Sequence, residues 1–89
     1  GYIFVGWNGP HDKKPRKVYV TRYTVDRNPP YKIVPGSAKE IISWVSNGHN
    51  GGDVAFGLDG KLFVTSGDGT SDSDTDLTGQ DVSTLLAKV

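Results

Sequence analysis

The chain has 89 residues, no cysteine and no methionine, and its formal net charge is zero. Those counts exclude a disulfide framework and any cysteine-based metal site, and no apolar run approaches the roughly 20 residues of a membrane-spanning helix. Hydrophobic content of 35 %, beside 12 glycines and 5 prolines, is lean for one compact core, so the chain is expected to be part of something longer.

Charge is unevenly spread. Residues 1–32 hold seven Lys or Arg against two Asp, whereas residues 33–89 hold three Lys against eight acids. The densest basic run, Lys13–Lys17, lies among prolines and has no aromatic-basic interleaving around it. It reads as a solvated loop between strands, with no nucleic-acid partner.

In chain order, Tyr2–Trp7 (YIFVGW) is β-branched and aromatic, the composition of a buried strand. Asn8–Pro15 is a loop. Lys17–Val25 alternates, with Val18, Val20, Arg22 and Thr24 on one face and Tyr19, Thr21, Tyr23 and Val25 on the other, and predicts a second strand. Pro29-Pro30 ends any ladder there, because proline has no N–H to donate. A weaker strand is expected at Lys32–Val34, then a turn at Pro35-Gly36-Ser37. Lys39–Val45 (KEIISWV) fits a strand better than one and a half helical turns, given its β-branched residues.

The richest stretch is His49–Asp68 (HNGGDVAFGLDGKLFVTSGD). Asp59-Gly60 between apolar runs is a strong hairpin signal. A two-residue type I′ turn there would pair 53–58 with 61–66, placing Leu58 opposite Lys61 and Phe56 opposite Phe63. The same pairing carries His49 and Asp68 to one end of the hairpin. An imidazole beside a carboxylate is a common arrangement for an oriented general base, although His and Asp at such turns are also ordinary backbone caps. An Asp/Ser/Thr-rich loop at 68–80 and a final apolar segment, Val82–Val89, complete the chain.

Together these strands predict an all-β architecture of antiparallel sheets, as a sandwich, barrel or propeller. A four-stranded propeller blade takes roughly 40–50 residues, so the length suits about two blades. Residues 1–45 would be a partial blade and residues 46–89 a blade segment carrying the His/Gly-Asp motif. Two blades leave unpaired edges through which copies could associate.

The segment His49, Gly51-Gly52, Val54-Ala55-Phe56, Asp59-Gly60, Leu62-Phe63-Val64, Gly67-Asp68-Gly69, Gln80-Asp81 and Leu85-Leu86-Ala87-Lys88-Val89 resembles the core motif of the pyrroloquinoline-quinone-dependent glucose/sorbosone dehydrogenases. In that motif the last five residues form an apolar strand with Lys. The C-terminal half carries the resemblance, and the N-terminal half matches it loosely. The resemblance implies a six-bladed parent that oxidises a sugar or sugar-derived alcohol and works in the periplasm or outside the cell. It implies His49 as base, Asp68 as its orienting partner, Gln80 at the cofactor, and pyrroloquinoline quinone (PQQ) with calcium as cofactors. The family's other cofactor contacts, largely arginines and lysines, belong to later blades, and so the chain alone is expected to be inactive. Gly48 stands where an acidic residue is common and Asp53 where some members carry a basic one, which leans toward the sorbosone-type or uncharacterised branches and away from glucose as substrate. The alternative is a non-catalytic propeller segment that serves as a binding module.

Two further groups are weighed. Asp72, Asp74 and Asp76 resemble the opening of a calcium-binding EF-hand loop, but Leu77 replaces its glycine and Ser83 its bidentate glutamate. A solvated acidic loop is therefore expected. Trp7, Tyr19, Tyr23 and Trp44 could offer a stacking platform for a carbohydrate, though aromatics at strand positions more often pack in a core.

Overall fold

A computed structural model describes residues 1–70 and 77–89. Strands β1 (Tyr2–Asn8), β2 (Lys17–Thr24) and β3 (Lys39–Val45) form one antiparallel sheet in that order. Strands β4 (Gly51–Phe56) and β5 (Leu62–Ser66) form a second, two-stranded one. No helix occurs among the described residues. The acidic triplet Asp72, Asp74 and Asp76 lies outside them.

β2 is central, and its alternation decides where the core sits. Val18 lies opposite Trp44 and Val20 opposite Ile42, so these side chains share the face turned toward the hairpin. Val18, Val20 and Trp44 are buried, and Val54, Val64 and Leu86 pack on them from the other side. β4 lies against both β1 and β2. Gly6 and Gly52 permit that approach, because a Cβ on Gly6 would overlap the Gly52 carbonyl. Phe4 and Phe56 meet edge-to-face beside them, ring centroids 5.1 Å apart.

Among the described residues, no second layer covers the opposite face of the first sheet. Ile3, Val5 and Trp7 are each about two-fifths exposed, which corrects the expectation of a buried strand at Tyr2–Trp7. Composition makes the segment extended, but burial requires a second layer, and the hairpin covers only one side. The aromatics divide accordingly. Trp44 is core, whereas Trp7 stacks on Tyr19 at 4.6 Å on the uncovered side and donates Nε1 to Thr21 Oγ1 at 2.9 Å. The four aromatics therefore build no common platform.

Three further elements differ from expectation. Lys32–Val34 is no strand but a single bridge, Val25 to Ile33, since the prolines on both sides of it leave too few donors for a ladder. The apolar end, residues 82–89, folds as successive turns. It runs beside β5, where Ser66 N donates to Lys88 O and Ala87 N to Gly67 O.

The hairpin also has a different register: Phe56 lies opposite Leu62 and Ala55 opposite Phe63, not Phe56 opposite Phe63 or Leu58 opposite Lys61. A type I′ turn needs positive φ at both central residues, and here only Gly60 takes it, at φ 81°. Gly57 N donates to Lys61 O and Gly60 N to Gly57 O. The connection is thus a three-residue loop, Leu58-Asp59-Gly60, with glycine in the left-handed position. Asp59 Oδ1 accepts from Lys61 N at 3.1 Å and holds the loop in that form.

Candidate functional site

Beyond β4 and β5 the two segments stay joined through residues 47–50 and 67–70. His49 N donates to Thr70 O, Gly69 N to His49 O and Gly67 N to Asn50 O. Gly51 and Gly52, both at positive φ, carry a register shift in β4 just before it leaves the sheet. Gly67 is required here by contact: a Cβ on it would overlap the His49 carbonyl. Ser46 Oγ donates to Asn50 Oδ1 at 2.6 Å and ties the base of the His49 loop.

This scaffold brings two of the sequence candidates together. His49 Nδ1 lies 3.1 Å from Asp68 Oδ1. A carboxylate only accepts, so Nδ1 carries the proton and Nε2 keeps its lone pair in the neutral ring. The His49 side chain is 57 % exposed and that of Asp68 17 %, which leaves the imidazole accessible while its partner is fixed. Asp68 Oδ1 also accepts from Thr70 N at 3.0 Å and Thr70 Oγ1 at 3.1 Å, and the Asp68 carbonyl accepts from Thr78 Oγ1. Thr70 and Thr78 are buried. The carboxylate is therefore held by its own loop before any partner arrives.

Thr70 is the residue that sequence reasoning missed. Asp-Gly-Thr is the spacing at which an Asp side chain captures the backbone N–H two residues on, and this local signal would have shown it. Gln80, the third candidate, is exposed in the turn before Asp81, whereas Asp68 is hydrogen-bonded to His49 and Thr70.

A quinone with several carboxylates needs basic side chains around the pair, and calcium needs a cluster of oxygen ligands. Among the described residues no group of three or more His, Cys, Asp or Glu could hold a metal ion. Basic side chains do gather near His49, in a cleft of about 90 Å³ lined by His11, Arg16 and Lys17. The described residues thus hold a hydrogen-bonded His–Asp pair and no cluster of carboxylate or imidazole ligands for calcium. No helix among them is long and apolar enough to cross a membrane. No protein-family model matches the chain, and no curated protein matches it either.

Proposed function

We propose that the chain is a segment of a β-propeller whose parent oxidises a sugar or sugar-derived alcohol, with His49 as general base and Asp68 as the residue that orients it. The observation that carries this reading is the Nδ1–Oδ1 contact of 3.1 Å between residues nineteen apart, which favours the neutral tautomer with Nε2 as acceptor. Nε2 takes the proton of a substrate hydroxyl, and Asp68 stabilises the imidazolium that results. By the resemblance, PQQ and calcium would be held by other parts of the parent and would supply the redox chemistry there.

Two features support the propeller. The first sheet has one face packed on the hairpin and an opposite face of Ile3, Val5, Trp7 and Tyr19, which suits a blade awaiting a neighbour. The Cα radius of gyration is 15.0 Å, against about 12 Å for a compact domain of this length.

The test is His49→Ala in the full-length protein, assayed with PQQ, calcium and an artificial acceptor. Turnover should fall by about 10²–10⁴ with cofactor binding retained, because a base acts on the proton in the transition state. Asp68→Ala should also lower turnover, and nitrogen NMR of His49 should show loss of the single Nδ1–H tautomer. Unchanged turnover in His49→Ala removes the base and leaves the binding-module reading of the same sheets.

A further inference from the structure

The basic cleft beside the His49 loop is not used by the proton-transfer pair. Two segments distant in sequence form it: Asn8, Gly9, His11, Arg16 and Lys17 on one side, and residues 46–48 with Asn50 on the other. No acidic residue lines it. Neither Arg16 nor Lys17 belongs to an ion pair among the described residues, and both are partly buried.

The backbone fixes the cleft. Gly9 N donates to Lys17 O and Ser46 N to Arg16 O, so both walls are pinned to the ends of β2 and β3. Arg16 Nε donates to the His11 carbonyl at 3.1 Å, which orients the guanidinium and leaves its other N–H groups as donors. Asn50 Oδ1 is occupied by Ser46 Oγ, so what Asn50 still offers is its NH₂ group. Arg16, Lys17 and the Asn50 amide therefore offer donors and positive charge to the cleft.

We infer that this cleft binds one oxyanion, the phosphate or carboxylate group of a small molecule. A volume of about 90 Å³ gives room for one such group, since a single water needs only about 10–15 Å³ on the same measure. A planar guanidinium held in place is the side chain best matched to carboxylate and phosphate oxygens. Residues 47, 48 and 50 flank His49 in the chain, so an anchored anion lies beside the loop that carries the imidazole. Binding does not depend on the His49 reading, and its test involves no turnover.

The experiment titrates the 89-residue chain with inorganic phosphate and, separately, with acetate, following backbone amide shifts by NMR at constant ionic strength set with chloride. Saturable shifts confined to residues 8–17 and 46–50 are expected. Arg16→Gln and Lys17→Gln should each weaken binding about tenfold, with the Val18 and Val20 methyl signals unmoved as the sign of an intact core. Saturation by phosphate alone assigns the site to phosphate, and saturation by both anions to oxyanions generally. Linear shifts that chloride reproduces, or equal affinity in both variants, overturn the inference.

Discussion

His49 is positioned by glycine contacts as much as by hydrogen bonds. A methyl group on Gly67 would enter the His49 carbonyl, so Gly67→Ala should force the 47–50 and 67–70 segments apart. The expected cost is about 1–3 kcal/mol, as for other overpacked sites. Urea unfolding would measure it, and the His49 ring signals should move at the same time; unmoved signals would show that the pair does not depend on this contact. Asp81 gives a pH-dependent counterpart in the exposed C-terminal segment. Its carboxylate accepts from Ser83 Oγ at 2.6 Å and Ser83 N at 3.0 Å, and chiefly the hydroxyl bond holds its pKa below the usual carboxylate value. A depressed folded pKa contributes stability above the unfolded value and loses it as pH falls through the folded one. The Asp81 carboxyl signal should therefore titrate at lower pH than a free Asp, and Ser83→Ala should move its midpoint upward. A midpoint unchanged by that substitution would remove the hydroxyl as the cause.

At the scale of elements, the hairpin loop is the sharpest case. Its three-residue form rests on Gly60, whose positive φ costs an ordinary residue about 1–2 kcal/mol. A Cβ there meets nothing within 4 Å, so the penalty of Gly60→Ala is conformational alone. Unfolding midpoints should show that loss while amide shifts in β1–β3 stay in place. A neutral substitution would mean that the backbone at Gly60 is not left-handed in solution. The register also has a chemical consequence. One slipped residue exchanges the faces of a strand, and the observed pairing is the one that points Val54 and Val64 at Val18, Val20 and Trp44.

For the whole molecule, the dominant feature is a sheet with one covered face. Apolar residues stand on the other, and among the described residues β1 pairs with β2 alone, which leaves it an open edge. Both features favour association. Sedimentation velocity should show concentration-dependent species above the 9.6 kDa monomer. Val5→Lys, which places a charge on the uncovered face, should return the chain to monomer. A wild-type chain that stays monomeric at all concentrations would show that the exposed face does not drive contact between copies.

Local chemistry made much of this legible from sequence. Strand composition located β1, β2 and β3, the Gly/Pro punctuation located the turns between them, and Asp59-Gly60 marked the hairpin. The meeting of His49 and Asp68 followed from antiparallel pairing, which needs only the position of the turn. What the tertiary structure alone decided depends on contacts between distant segments. Burial of Tyr2–Trp7 failed because a single layer covers the sheet, and Val82–Val89 became turns against the edge of β5. The Phe56 register depended on which of two adjacent residues took positive φ, and Asp59 kept the ordinary conformation because its side chain could cap Lys61 N. The basic cleft was invisible for the same reason. Its two walls lie some thirty residues apart, and only the pairing of β2 with β3 brings them together.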